Sequence, residues 1–195
     1  VADLNKSYYY FALHLQPEAT TLPNGGIYAQ QILAIRILSK LLPDNTYLYV
    51  KEHPSYWIQK GRLESVYESR NFQFYKEIKG LRNVKFIKHT YSSQELLEKC
   101  RAVVTITGTV GFEALFLGKP VLIFGHTFYE HYPYAFPVKT IDDCRNAIFE
   151  IENSKFYFDR KEMKLYLKSI EKYIVPLGAN EKNFNDNGTP TVDQK

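Results

Sequence analysis

Two short apolar segments, joined by a turn and a helix-forming stretch, constrain the fold more than any other feature of this sequence. Residues 102–106 (AVVTI) and 121–124 (VLIF) each have the length and composition of a strand buried on both faces. The stretch between them begins with a glycine-containing turn, and Gly118 followed by Pro120 ends it as a helix C-terminus is commonly ended. A strand, a helix and a second strand in this order predict two parallel strands joined by a helical crossover.

The same alternation of strands and helices runs through most of the chain. The predicted strands are residues 8–14, 46–51, 84–87, 102–106 and 121–124, and the predicted helices are residues 28–42, 65–78, 94–100, 110–117, 140–151 and 158–174. This order predicts an α/β fold, a Rossmann-like doubly wound parallel sheet with helices on both faces. We assign residues 1–175 to one domain and residues 176–195, which carry few apolar side chains, to a loosely ordered C-terminal tail.

The composition excludes several classes of protein. With 45% hydrophobic and 24% charged residues, the chain has the balance of a soluble globular protein, and no apolar run reaches the length of a membrane span. Its two cysteines are too few for a disulfide framework, which favours a reducing, cytoplasmic location. The net charge of +4 suits an anionic ligand, or a peripheral attraction to the inner face of a membrane, but not nucleic acid. Because the chain opens on Val rather than Met, we expect it to be a piece of a longer protein.

Doubly wound sheets bind their ligands outside the carboxyl ends of the strands. In this sequence, that edge comprises the loops at residues 14–26, 52–54 and 107–111, and all three carry unusual polar side chains. Because the carboxyl ends of parallel strands meet at one edge of the sheet, these loops are expected to surround a single ligand site.

The turn at residues 107–111 has the features of an anion site. Gly108 and Gly111 leave room for a ligand beside the backbone, and the N–H groups of the following helix start attract negative charge. Thr107 and Thr109 add hydroxyl donors. The turn matches neither a G-x-G-x-x-G fingerprint nor a P-loop, and a tight turn capped by threonine is the alternative.

Glu113 adds a carboxylate to the helix that follows this turn. We place it in the first helical turn, where it could accept hydrogen bonds from ribose hydroxyls while the phosphates lie at the glycines. The alternative role for an acid there is to complement the helix dipole.

The second strand ends in Lys51, Glu52, His53 and Pro54. The proline restricts the backbone of His53 to an extended conformation, so the imidazole leaves the strand end in a fixed direction. There it could donate a hydrogen bond to a phosphate or transfer a proton, which makes His53 a catalytic and a binding candidate. Lys51 and Pro54 are further binding candidates. For Lys51 and Glu52, a surface ion pair between the two is the alternative explanation.

The loop after the first strand supplies Gln16 as a hydrogen-bonding candidate and Glu18 as a candidate catalytic base. A loop of solvated side chains is the alternative. The later aromatic loop at 125–137 carries His126 and His131, whose spacing of five lacks the i, i+4 geometry of a helical zinc site. We therefore expect no metal there and keep His126 as a ligand-binding candidate.

Three segments together carry a family resemblance: LHLQPEATT, YVKEHPS and TITGTVGFEALFLGKPVLIFGHTFY. In this order they resemble the capsule polysaccharide biosynthesis family, which is similar to the GT-B glycosyltransferases. The GT-B glycosyltransferases that the family resembles include bacterial sialyltransferases and Kdo transferases with a His-Pro motif. The resemblance covers residues 8–137.

The resemblance implies the C-terminal, donor-binding lobe of a two-lobed, cytoplasmic glycosyltransferase. It implies that His53 contacts a nucleotide phosphate, that Gly108, Thr109 and Gly111 form the phosphate turn, and that Glu113 binds the nucleoside. It further implies a nucleotide-sugar donor, with CMP-Kdo favoured over a UDP-sugar, and a glycan or glycolipid acceptor. No cofactor and no metal are implied, and the N-terminal acceptor lobe is missing from this chain.

Two alternatives stay open at the level of sequence. The first is a UDP-sugar 2-epimerase of the same two-lobed architecture, and the second is a non-catalytic nucleotide-binding or scaffold domain.

Overall fold

The computed structural model describes residues 3–16, 21–59, 70–88 and 90–173. The chain divides into two compact units, Val1–Phe158 and Asp159–Lys195. The predicted tail at 176–195 lies outside the described residues, so the boundary after residue 175 stays a prediction.

The first unit is built on a six-stranded sheet. Its strands are β1 (Tyr8–Ala12), β2 (Tyr47–Lys51), β3 (Val84–Ile87), β4 (Ala102–Thr105), β5 (Val121–Ile123) and β6 (Ala135–Pro137). The order across the sheet is β3-β2-β1-β4-β5-β6, and every neighbouring pair is parallel. The predicted Rossmann-like fold is confirmed. The order reverses between β1 and β4, which places the crevice of such a sheet at the carboxyl ends of these two strands.

Helices connect the strands. They are a 3₁₀ turn (Gly26–Ala29), α1 (Ile32–Leu41), α2 (Pro54–Gln59), α3 (Phe72–Gly80), α4 (Ser93–Lys99), α5 (Thr109–Phe116), α6 (Ile141–Asn153) and, in the second unit, α7 (Arg160–Glu171). The described residues include no helix long and apolar enough to cross a membrane.

Two elements escaped the sequence analysis. β6 has only three residues and ends on a proline, so it shows no measurable alternation of side chains. α2 begins at Pro54, where a proline suits the first helical position because its missing N–H would be unpaired anyway. The helix predicted at 65–78 begins later, at Phe72, and residues 65–69 lie outside the described part of the chain.

The central strand β1 is buried on both faces, and tyrosines occupy much of it. Tyr8 and Tyr9 are fully buried, and both satisfy their hydroxyls. The Tyr8 hydroxyl donates to the carbonyl of Leu96 at 2.9 Å, and the Tyr9 hydroxyl donates to Glu152 at 2.8 Å. The tyrosines therefore add large apolar area to the core without leaving an unpaired polar group.

The helix ends agree with the signals in the sequence. Ser92 caps α4 by accepting a hydrogen bond from the N–H of Glu95. Gly118 follows α5 with a φ of +65°, and a Cβ at this position would lie 2.5 Å from the backbone nitrogen of Phe158. Only glycine meets both conditions, so the predicted glycine stop is confirmed.

Candidate functional site

A cavity of about 300 Å³ opens at the carboxyl edge of the sheet. The ends of β1, β2 and β4, together with the first turns of α5, supply its walls. Seven residues predicted from the sequence line it: Lys51, His53, Pro54, Thr107, Gly108, Thr109 and Glu113. The walls also include Tyr10, His14, Glu52 and Ser93, which the sequence analysis did not select as site residues.

The remaining predicted site residues are placed elsewhere or not described. Gln16 and Gly111 are not among the described residues that line the cavity. His126 lines a separate cavity of about 310 Å³ beside Gly125 and Lys139. Glu18 lies outside the described residues, so its role as a base stays a prediction.

The turn between β4 and α5 forms one wall of the cavity, and α5 starts without a side-chain cap. Gly108 is the N-cap residue, with extended backbone angles, and its own N–H donates to the Thr105 hydroxyl at 2.9 Å. Within the described part of the chain, the N–H groups of Thr109 and Val110 have no hydrogen-bond acceptor. These two donors are therefore available to a ligand.

His14 organises this turn from the end of β1. Its Nε2 accepts hydrogen bonds from the N–H groups of Ile106 and Thr107, at 3.3 and 3.2 Å, and lies 3.1 Å from the Thr105 hydroxyl oxygen. Accepting from two backbone donors leaves the ring proton on Nδ1. The first N–H groups of the turn are thus committed to His14, and only those of α5 itself remain for a ligand. The available signal for His14 was its position, as the first polar residue after a strand.

Gly108 has a steric role as well. A Cβ at this position would lie 2.9 Å from both the Cε1 of His14 and the hydroxyl oxygen of Thr105. The glycine is therefore required for the close approach of the turn to His14, in addition to any approach of a ligand.

His53 is held at the start of α2. Its Nδ1 accepts a hydrogen bond from the N–H of Ser55 at 3.1 Å, so the ring proton lies on Nε2. Pro54 follows His53 and opens α2, and both residues belong to the wall of the cavity. An imidazole with a proton on Nε2 is a hydrogen-bond donor for an anionic ligand.

Lys51 is only 5% exposed and belongs to the wall of the cavity. Its ammonium donates to the carbonyl of Tyr91 and to the hydroxyl of Ser93, each at 2.7 Å. Both partners are neutral, and no ion pair to Lys51 exists within the described residues. Burial lowers the pKa of the Lys51 ammonium.

The alternative of a surface ion pair between Lys51 and Glu52 is wrong. Glu52 is 2% exposed, and its carboxylate accepts from the Nε of Arg70 at 3.1 Å and from the Tyr75 hydroxyl at 3.0 Å. The two neighbours point to different partners because successive side chains leave an extended backbone on opposite faces. Among the described residues, Lys51 is therefore a buried cation without an acidic partner, and a charge of this kind favours an anion nearby.

Glu113 lines the cavity from α5 but lies just beyond the first helical turn, in which it was expected. The helix begins at Thr109, so Glu113 is its fifth residue and the first turn contains no acid. The helix dipole acts mainly on charges in the first turn, so dipole complementation explains this carboxylate poorly. Glu113 is exposed, and the structure gives it no hydrogen-bond partner among the residues it describes.

Gly111 has a packing role. A Cβ there would lie 2.5 Å from the hydroxyl oxygen of Tyr129, which itself donates to the carbonyl of Gly108. The Tyr129 side chain thus supports the turn from the side of the aromatic loop. His126 is exposed and lies 3.3 Å from Glu130, measured from Nδ1 to the carboxylate oxygen.

The described residues contain no group of three or more His, Cys, Asp or Glu side chains that could hold a metal ion. Asp142 and Asp143 lie in the first turn of α6, as predicted. The Thr140 hydroxyl accepts from the N–H of Asp143, whose carboxylate accepts from the N–H of Thr140, which is a capping box. The hydrogen bonds that the Asp143 carboxylate accepts lower its pKa. Metal-independent chemistry stays a prediction.

Solved structures with a TM-score above 0.5 support the fold. The UDP-GlcNAc 2-epimerase of Methanocaldococcus jannaschii is similar at 15% identity with a TM-score of 0.57, over 88% of this chain and 47% of the epimerase. A UDP-forming α,α-trehalose-phosphate synthase of Burkholderia xenovorans is similar at 10% identity with a TM-score of 0.53, over 86% of this chain and 40% of the synthase. The KpsC β-Kdo 2,4 transferase of Thermosulfurimonas dismutans matches at 21% identity with a TM-score of 0.47, over 75% of this chain and 43% of the transferase.

This chain spans less than half the length of each of these proteins. No curated protein sequence matches it significantly. The sequence profile of one family, described as capsule polysaccharide biosynthesis protein, matches residues 15–132, which is more than half of the chain. The matched segment contains β2, β3, β4 and β5 with the cavity-lining residues after β2 and β4, whereas β1 and His14 precede it. The chain belongs to the capsule polysaccharide biosynthesis family.

Proposed function

We propose that this chain is the donor-binding part of a glycosyltransferase that builds a bacterial capsule or another surface polysaccharide. Its ligand is a nucleotide sugar, and a CMP-sugar such as CMP-Kdo is favoured. The observation that carries the proposal is the open start of α5 beside the buried ammonium of Lys51. Free backbone donors and an unpaired cation in one cavity suit the phosphate of a nucleotide.

Three kinds of donor line the same cavity and can share that phosphate. The N–H groups of Thr109 and Val110 come from the helix start, the Nε2 proton comes from His53, and the third donor is the Lys51 ammonium. None of these groups needs to reorganise, because each is already fixed by its own helix, cap or hydrogen bonds. Fixed donors around a developing negative charge stabilise a departing phosphate during sugar transfer.

Glu113 lines the cavity one helical turn beyond these donors. A nucleotide with its phosphate at the helix start can place its ribose hydroxyls near this carboxylate, which accepts hydrogen bonds. Glu113 therefore selects for a nucleoside and against a bare phosphate.

The transfer also needs a base for the acceptor hydroxyl. Glu18 is our candidate within this chain, and the alternative is a residue of an N-terminal acceptor lobe. The acceptor is a glycan or a glycolipid, which is compatible with peripheral association at the inner face of the membrane. The preference for CMP over UDP follows from the resemblance to the His-Pro transferases, and transfer without a metal is part of the same proposal.

Calorimetry of the purified chain with CMP and with UDP tests donor binding. We expect CMP to bind more tightly than UDP, and His53→Ala to weaken binding. His131→Ala is the matched control, because His131 is exposed and does not line the cavity. If neither nucleotide bound the wild-type chain, the non-catalytic alternative would be favoured.

A second measurement distinguishes transfer from epimerisation. The whole protein is incubated with a UDP-sugar in the absence of any acceptor, and the free nucleotide sugar is analysed. Release of an epimerised nucleotide sugar would contradict the transferase proposal.

A further inference from the structure

Arg70 is the most completely engaged buried charge in the described part of the chain, yet it is not among the residues that line the cavity. It is 4% exposed and lies just before α3. Its Nε donates to Glu52 at 3.1 Å, one terminal nitrogen donates to the Gln16 side-chain oxygen at 2.7 Å, and the other donates to the His14 carbonyl at 2.8 Å. The guanidinium carbon also lies 4.6 Å from the centre of the Phe74 ring.

These three acceptors come from two different strand ends. His14 and Gln16 follow β1, whereas Glu52 follows β2 and immediately precedes His53. The planar guanidinium presents its donors in a rigid fork, so one side chain fixes the distance and angle between the two loops. A lysine ammonium has a single donor centre and cannot reproduce this arrangement.

His14 extends the arrangement to a third strand end. Its backbone is held from the other side by Gln31, which accepts from the His14 N–H at 2.8 Å and donates to the His14 carbonyl at 3.2 Å. With its backbone fixed in this way, the imidazole receives the N–H groups of Ile106 and Thr107. A continuous chain of hydrogen bonds therefore runs from Arg70 through His14 to the turn that opens α5.

We infer that Arg70 is a positioning residue for nucleotide binding: it holds the β1, β2 and β4 ends at the spacing that brings His53 and the open start of α5 to one phosphate. The inference rests on the proposed function for its ligand. Arg70 acts through His14 and Glu52, and it does not contact the nucleotide. Glu52, with Tyr75 on its second oxygen, neutralises the guanidinium and keeps it in place.

The test replaces Arg70 by lysine and uses Arg101→Lys as a matched control. Arg101 also donates to two backbone carbonyls, those of Ile151 and Glu152, and lies 3.5 Å from a carboxylate oxygen of Glu152. It lies just before β4, at the opposite edge of the sheet from the cavity. Both substitutions replace an arginine that contacts backbone carbonyls and a glutamate, but Arg101 donates to its two carbonyls through one terminal nitrogen and its side chain is 40% exposed.

We expect Arg70→Lys to weaken CMP and UDP binding about 10- to 100-fold, the range found when residues that orient the direct ligands of a metal site are replaced. Arg101→Lys should lower the melting temperature without changing either affinity. A purely structural role for Arg70 would give the same pattern for both variants, a lower melting temperature with unchanged affinity, and would overturn the inference.

A second readout does not depend on the ligand. ¹⁵N NMR of the His14 ring should show an Nδ1–H tautomer in the wild-type protein and in Arg101→Lys, and averaged ring signals in Arg70→Lys. If Arg70→Lys fails to fold, Gln16→Leu removes one acceptor of the fork, and it should move affinity and ring signals in the same direction. Unchanged His14 signals in the folded variant would contradict the inference, whereas a wild-type chain that binds neither nucleotide would contradict only the proposed function.

Discussion

Two helices of this fold follow strand ends of the same sheet, and their N-termini are built in opposite ways. α6 closes its first turn with its own side chains, through the reciprocal hydrogen bonds of Thr140 and Asp143. α5 begins at Thr109 after the N-cap residue Gly108, which provides no side-chain cap, and its first residues line a cavity that Lys51 also lines. A glycine in place of a capping side chain costs some helix stability, and it leaves the first N–H groups of α5 available to an anion.

The substitution Gly108→Ala should have the largest effect on the open start of α5. The added methyl group would lie 2.9 Å from His14 and Thr105, so the turn must move away from β1. We expect a loss of about 1–3 kcal/mol in the free energy of unfolding, as for other overpacked positions, and nucleotide binding too weak to measure.

Gly80→Ala is the matched control for Gly108→Ala, because no atom lies within 4 Å of the position that its Cβ would occupy. Denaturant unfolding and calorimetry of both variants make the comparison. Equal nucleotide affinity in the two variants would show that the turn does not need its glycine.

Lys51→Met should have the next largest effect, because it removes the buried cation that distinguishes the α5 cavity from the start of α6. A hydrogen bond to a charged group contributes about 1.5–3 kcal/mol, so nucleotide affinity should fall roughly 10- to 100-fold. Lys99→Met, which removes an exposed lysine paired with Glu95, serves as the control in calorimetry.

The same lysine gives a pH dependence. Since burial lowers the pKa of Lys51, the folded protein releases this proton at a lower pH than the unfolded chain, whose lysine has the ordinary value of 10.5. Between the pKa of Lys51 in the folded protein and the value of 10.5 in the unfolded chain, the free energy of unfolding rises with pH. Over the same range, the affinity for an anionic nucleotide falls. Lys51→Met should remove this part of both trends, and an unaltered pH profile of binding would exclude Lys51 from the site.

Glu113→Gln should have a smaller effect, and one that depends on the ligand. Because a ribose contact contributes about 1 kcal/mol, CMP should bind about fivefold more weakly. Inorganic pyrophosphate, which has no ribose, should bind the variant and the wild type equally. Competition calorimetry with both ligands is the measurement, and an equal change for CMP and pyrophosphate would contradict the ribose assignment.

Thr140→Ala tests the closed helix. Loss of an N-cap side chain costs about 1 kcal/mol of stability. Because no described residue of α6 lines the cavity at the carboxyl edge, nucleotide affinity should not change. A weaker affinity for CMP in this variant would mean that the two helix starts are coupled.

The contribution of Asp143 to the α6 cap should depend on pH. Hydrogen bonds from Thr140 and Lys139 lower the pKa of this carboxyl below its ordinary value of 3.8. The stabilisation is therefore present above pH 3.8 and is lost as the pH falls through the folded-state pKa. The difference in melting temperature between the wild type and Asp143→Asn should shrink over that range, and a constant difference would contradict the cap assignment.

The sequence was sufficient for the features that depend on local chemistry. Five strands are apolar runs with recognisable ends. Ser92 and Thr140 mark helix starts by the hydrogen bonds that their side chains accept, and Gly118 marks a helix end because glycine adopts a positive φ without strain. It also placed seven residues at the cavity, because the carboxyl ends of parallel strands must meet at one edge.

The features that sequence reasoning missed depend on residues far apart in the chain. Nothing local distinguishes Arg70 from any other arginine, and its role follows only from its position between the ends of β1 and β2. His14 and Gly108 follow different strands and are distant in sequence, yet each fixes the other's position at the turn.

By itself, the sequence determined the parallel fold, its helix ends and the edge of the sheet at which we propose the ligand site, because strand burial and helix capping are properties of short segments. Only the tertiary structure decided which donors remain free at that edge. It assigned the N–H groups of Ile106 and Thr107 to His14 and left those of Thr109 and Val110 open. In the folded chain, Lys51 also bonds to the Tyr91 carbonyl and Glu52 to Arg70, so the two neighbours do not pair with each other. The physical reason is that a polar group is available to a ligand only if no neighbour in the fold already occupies its hydrogen-bonding position. Those neighbours come from distant parts of the chain.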